Sequence, residues 1–283
     1  MNILVTGASG MLGKDIVDTF RAAGHEVMET DRQELDIANA EQVSIYVAEK
    51  KPEVVINCAA YNFVDKVEED AFYPIAYAVN ATGPQNLAMA AKEQGARFIH
   101  FSTDYVFAGD KPEGYVETDP TGPISKYGET KLAGETLVQE VGGDVLICRL
   151  SKIFGAPGLG EGSKESFVAL MLRLAASKPE LSIVDEEVGS PSYTLDIAQE
   201  VLRMVEEPAE AGIYHLVNAG EGVTWYAFAK EFFALRGIDT PAHPVTSAEF
   251  PKPAARPKFA ALLNTKRPPL RSRTEALKAF LNV

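Results

Sequence analysis

The sequence predicts an α/β chain built on a doubly wound parallel sheet, with a smaller region added at its C-terminal end. Three observations carry this. Short apolar runs of strand type alternate with helical segments from residue 2 to about residue 150. No internal repeat interrupts the alternation, so successive strands are joined by helical crossovers and run parallel. The run Gly7-Ala8-Ser9-Gly10-Met11-Leu12-Gly13 separates the first strand from the first helix, where a glycine turn can cradle a phosphate.

Asn2 to Thr6 is the first strand, and beyond the glycine turn Ile16, Val17 and Phe20 recur with helical period. Gly7 permits the tight turn, Gly10 lets backbone approach a pyrophosphate, and Gly13 lets the helix lie against the sheet. Glycines also serve plain turns, but a triplet directly after a strand favours the dinucleotide reading and a Rossmann-type fold. Glu26 to Arg32 reads as the second strand. Asp31, 18 residues beyond Gly13, suits the ribose hydroxyls of NAD, whereas Arg32 suits a 2′-phosphate of NADP or a stack on adenine. NADPH and NADH both stay open.

Further strands are expected at Val54 to Asn57, Arg97 to Ser102 and Asp144 to Arg149, with helices at Ala40 to Glu49, Pro74 to Glu93 and Ser125 to Val141. After Arg149 come a glycine-rich loop (155–162), an amphipathic helix (164–176), a strand (213–217) and a helix (225–235). The proline-punctuated stretch 239–257 is longer than a compact connection and reads as a substrate-covering loop. Residues 1–150 are expected to form the NAD(P)-binding domain, completed by segments near 181–217, and 151–283 mainly the substrate-binding region.

Ligands are expected at the carboxyl ends of parallel strands. There, small Ala59 and Ala60 would let a cofactor lie against the backbone, and Thr103 presents a hydroxyl. A threonine at a strand end also commonly satisfies a nearby backbone group. Tyr127 and Lys131, four apart, share one helix face. A nearby cation favours a phenolate, which would move Tyr127 toward the range of a general acid/base.

Composition bounds the rest. With 283 residues, 46% hydrophobic and 24% charged, the chain can bury a substantial core. No apolar run approaches the ~20 residues that span a bilayer, and the chain enters a strand at residue 2 without a cleavable leader, so a cytoplasmic location and no membrane partner are expected. The net charge of −13 argues against nucleic acid. Residues 252–273 nonetheless hold seven basic side chains and no acidic one. Such a segment can screen carboxylates or, as favoured here, neutralise the diphosphate of a small ligand. Cys58 and Cys148 read as buried hydrophobes, and no ligand set for a metal is apparent.

These motifs, together with Asn57 to Glu68, Ser102-Thr103-Asp104-Tyr105-Val106-Phe107, Tyr127 to Glu135 and Arg256-Pro257, resemble the extended short-chain dehydrogenase/reductase family over most of the chain. They are most similar to its branch that reduces nucleotide-linked 4-keto-6-deoxyhexoses. In related dehydratases an Asp-Glu pair follows the threonine; here Tyr105 follows Asp104, and the second carboxylate is missing. The resemblance implies NAD(P)H-dependent reduction of a dTDP-linked 4-dehydro sugar, with Tyr127 as proton donor, Lys131 on the nicotinamide ribose and Thr103 on the carbonyl. It places Gly10, Met11, Leu12, Asp31, Asp36, Ile37, Ala59, Ala60 and Tyr61 on the cofactor, and Thr103, Asp104, Lys152 and Arg256 on the substrate. Lys152 stands where the family usually has a tryptophan against the sugar nucleotide. The family admits homodimers, epimerases that retain NAD, and a non-catalytic regulatory partner of methionine adenosyltransferase, so those readings stand beside the reductase.

Overall fold

The computed structural model describes residues 1–160 and 164–283. Six parallel strands form the main sheet: β1 (Asn2–Thr6), β2 (Glu26–Thr30), β3 (Val54–Asn57), β4 (Arg97–Thr103), β5 (Val145–Leu150) and, after the short strands β6 (Ile153–Phe154), β7 (Leu181–Val184) and β8 (Ser192–Tyr193), β9 (Gly212–His215). Their spatial order is β2-β1-β3-β4-β5-β9, every pair parallel. The chain changes direction between β1 and β3, which makes that edge the switch point where a doubly wound sheet binds ligands.

Buried on both faces, the strands are nearly continuous apolar runs. On one face α1 (Met11–Ala22) packs Leu12, Ile16, Val17 and Phe20 beside Ile197, Val201 and Met204 of α7 (Thr194–Glu206). The opposite face is covered by α2 (Ala40–Lys50), α4 (Gly83–Glu93) and α5 (Lys126–Val141). The expected helix over 74–93 is divided: α3 (Tyr73–Tyr77) passes through a π-helical turn (Ala78–Thr82) before α4. Asn80 in that turn is fully buried and clamps the loop after β3, accepting from Tyr61 N at 2.8 Å and donating to Tyr61 O at 3.0 Å. Such widened turns commonly serve a local need, and this one aims an amide at the ligand edge.

The C-terminal lobe has its own aromatic core, with Phe154, Phe228 and Phe232 among α6 (Phe167–Ala175), α8 (Trp225–Arg236) and α9 (Arg273–Leu281). Of the stretch 181–217, β9 joins the main sheet, whereas β7 pairs with β10 (Ala242–Val245). The segment 239–257 is therefore not an irregular loop throughout: only its last part, at Arg256 and Pro257, reaches the cleft described next. Of the glycine-rich loop, residues 161 and 162 lie outside the described residues. Leu159 and Gly160 both donate backbone N–H to Ser9 O, so the loop closes on the glycine turn.

Candidate active site

The glycine turn is sterically determined. Gly7 sits at φ +67°, and a Cβ there would fall 2.5 Å from Ala59 N; one on Gly13 would fall 2.2 Å from Gly7 O. No side chain caps α1, so its first-turn N–H groups remain available to an anion. A cavity of about 330 Å³ opens beside this turn, lined by Gly7, Gly10, Asp31 and Arg32 on one side and Ala59, Ala60 and Tyr61 on the other. Asp36 and Ile37 also line it, although Ile37 is a core side chain packed near Gly83, and the Asp36 carboxylate accepts from Ala38 N. The Asp31 carboxylate accepts from Ser9 N at 3.2 Å and so holds the turn, while Arg32 is exposed.

Across the glycine turn lies a second cavity of about 420 Å³, lined by Gly10 to Gly13, Thr103, Asp104, Tyr127, Lys131, Lys152 and Arg256. The two cavities share Gly10, Cys58, Ala60 and Asn62. Tyr127 and Lys131 occupy the first turns of α5, which Ser125 caps by accepting from Gly128 N. A Cβ at Gly128 would meet Tyr105 O at 2.3 Å; its absence lets α5 close on the 104–106 turn and sets the Tyr127 ring edge-on to Tyr105.

The electrostatics differ from the expected pairing. Burial raises the Tyr127 phenol well above the ordinary tyrosine range, the Asp104 charge adds to this, and the Thr103 hydroxyl opposes it. Lys131 brings no offsetting effect: its Nζ turns to Phe101 O at 2.7 Å, and burial lowers it to about 8 against the pull of Glu135. The Thr103 hydroxyl donates to Asp104 Oδ1 at 3.0 Å and Ser151 Oγ to Asp104 Oδ2 at 2.6 Å. Burial nevertheless raises the Asp104 carboxyl above its ordinary value.

The basic segment divides its work. Arg256 lines the larger cavity and is held by Asp65 through contacts of 2.6 and 2.9 Å. Arg267, Arg271 and Arg273 instead pair with Glu200, Asp196 and Glu231. Three of the seven basic side chains therefore screen carboxylates, and Arg256 is the member of these four placed for a ligand. Cys58 and Cys148 are free thiols, each raised by burial and unsuited to nucleophilic work. Among the described residues, no group of three His, Cys, Asp or Glu side chains could hold a metal ion.

Sequence reasoning missed Trp225, Glu187, Ser151 and Lys164, which complete the larger cavity. Trp225 was legible only as the single tryptophan of the chain, at the start of an expected helix; the others carry no local signal.

A parallel sheet with a glycine turn at its switch point and a Tyr–Lys helix facing the same cleft defines an extended short-chain dehydrogenase/reductase. The family model for the RmlD substrate binding domain matches residues 1–281, and the chain belongs to that family. It is 42% identical over 266 residues to the dTDP-4-dehydrorhamnose reductase of Streptomyces griseus, covering 92% of this chain and 84% of that one. Among solved structures it resembles a dTDP-4-dehydrorhamnose reductase, an RfbD ortholog from Clostridium acetobutylicum, with TM-score 0.93 and 41% identity over 100% of this chain and 99% of the other. A Bacillus anthracis dTDP-4-dehydrorhamnose reductase in complex with NADP superimposes with TM-score 0.92 and 34% identity, covering 99% and 98%.

Proposed function

We propose that this chain uses NADPH or NADH to reduce the 4-keto group of dTDP-4-dehydro-L-rhamnose, giving dTDP-L-rhamnose. One observation carries the reading: Tyr127, Thr103 and Lys131 line a cavity that adjoins, across Gly10 and Ala60, the cavity walled by Gly7, Asp31 and Ala59. The activities named for the Streptomyces and Clostridium relatives support the sugar, and the NADP complex from Bacillus supports the cofactor.

The fit to a dinucleotide rests on the glycine cradle, which any side chain would fill, and on the uncapped start of α1. Gly7, Gly10, Met11, Leu12 and Gly13 would hold the pyrophosphate, Asp31 and Arg32 the adenosine ribose, and Asp36, Ile37, Ala59, Ala60 and Tyr61 the cofactor's flanks. When bound, the nicotinamide supplies hydride. Tyr127, kept protonated by burial, donates its proton to the carbonyl oxygen. Thr103 favours the phenolate left behind and hydrogen-bonds the carbonyl once its hydroxyl leaves Asp104. Lys131 is anchored on Phe101 O, and we assign its remaining donors to the nicotinamide ribose. Arg256, released from Asp65, would meet the diphosphate. In this division residues 1–150 mainly serve the cofactor and 151–283 the sugar nucleotide, and a cytoplasmic location fits the nucleotide cosubstrates.

The test follows cofactor absorbance after mixing protein, dTDP-4-dehydro-L-rhamnose and NADPH or NADH. Wild type should oxidise one cofactor per sugar, and Tyr127→Phe should lower turnover on the order of 100-fold or more. An epimerase would give no net oxidation. An undiminished rate in the variant would remove Tyr127 from the mechanism.

A further inference from the structure

Lys152 follows β5 with a left-handed backbone, φ +44°, a conformation uncommon outside glycine. Its ammonium lies 3.8 Å from the centroid of the Trp225 ring and donates to Glu187 O. The Trp225 indole N–H donates in turn to Glu187 Oε2 at 2.9 Å. A Cβ on Gly189 would fall 2.5 Å from Lys152 Cε, so the lysine stem in this position packs where the opposing loop has no side chain. Lys152, Glu187 and Trp225 all face the cavity that Thr103 and Tyr127 line. An ammonium has three donors. Among the described residues one of them reaches Glu187 O, which leaves donor capacity on an ammonium that lines the cavity.

We infer that Lys152, mounted on the Trp225 ring, reads a ring hydroxyl of the sugar and so sets which hexose this chain accepts. The inference rests on the reductase reading above and deepens it. A sugar hydroxyl, rather than the diphosphate, is the partner because of what surrounds each cation. Ser151, adjacent to Lys152, donates to Asp104 Oδ2 at 2.6 Å, and Asp104 is bonded to Thr103 at the carbonyl end of the cavity. Arg256, paired with Asp65, is the cation that the reductase reading assigns to the diphosphate.

Trp225 is the only tryptophan, so its fluorescence reports ligand binding at this wall without turnover. The probes are dTDP-L-rhamnose, its analogues lacking the 2- or the 3-hydroxyl of the sugar, and dTDP alone. A hydrogen bond to a charged group predicts that wild type binds dTDP-L-rhamnose about 10-fold or more tightly than one deoxy analogue. Lys152→Met, which keeps the stem, should bring that ratio close to one while leaving dTDP affinity unchanged; Lys152→Arg should restore part of the discrimination. The inference is overturned if Lys152→Met discriminates like wild type, or if it weakens dTDP as much as dTDP-L-rhamnose, the sign of a phosphate contact. Wild type that discriminates but oxidises no cofactor would remove the reductase reading and leave the hydroxyl reading standing. Wild type that binds none of the probes overturns both.

Discussion

Lys131 and Lys152 are cations in places that penalise charge. Burial lowers Lys131 from 10.5 to about 8 and Lys152 to about 7, although the Trp225 face, which attracts cations, works against the second shift. The unfolded chain keeps both protonated until near 10.5, so above their folded values it binds more protons than the native state. Native stability should therefore rise with pH between about 7 and about 9, below the range where tyrosines ionise. Below about 7 both lysines carry the full burial cost and contribute no slope. Denaturation midpoints across this window should climb less in the Lys131→Met, Lys152→Met double variant; equal slopes would show that neither lysine is penalised. At the other cavity, Asp31 is occupied by Ser9 N while Arg32 is exposed. Arg32→Ala should raise KM for NADPH roughly 10-fold, as loss of a charge-assisted contact predicts, and change KM for NADH little. Steady-state kinetics with each cofactor decides this, and equal losses would place Arg32 on adenine instead.

Helix α5 shows how an element carries a site and pins it. Gly128 and Gly134 let it approach the backbone of Tyr105 and Asn80, where Cβ atoms would stand at 2.3 and 2.1 Å. Below the turns that carry Tyr127 and Lys131, Glu135 meets Arg149 of β5 through two hydrogen bonds of 2.9 and 2.7 Å, both side chains almost fully buried. Removing one partner of such a pair strands the other charge, so Glu135→Ala should cost about 3–5 kcal/mol in urea denaturation. A loss under about 1 kcal/mol would mean that water reaches Arg149. That Tyr127 and Lys131 share a face of α5 could be read from their spacing, and the glycine turn and Thr103 gave that face its meaning. Their electrostatic relation could not, because it depends on how deeply α5 sinks and on which carbonyl the ammonium meets. The π-helical turn was hidden for a similar reason: one extra residue in a turn leaves the apolar pattern over 74–93 nearly intact.

At the scale of the whole molecule, the first half was legible because each strand and crossover helix carries its pattern within a dozen or so residues. The later half was less so. Strands β6 and β8 are two residues long, and β7 finds its partner β10 some sixty residues on, so nothing local announces either pairing. Helix α7 has a clear amphipathic pattern, but it follows the two-residue strand β8 directly, with no side chain capping its start to mark where it begins. This helix carries Asp196 and Glu200, buried at 4% and 1% exposure. Glu200 has Arg203 one turn away, but the arginine paired with Asp196 is Arg271, 75 residues later. Since the ribosome delivers the chain from its N-terminus, α7 emerges long before the residue that neutralises it. A buried carboxylate without its counterion is strongly unfavourable. The face of the sheet that α7 covers is therefore expected to settle only after Arg271 has been synthesised, which ties final docking of a helix of the nucleotide-binding sheet to a late stage of synthesis.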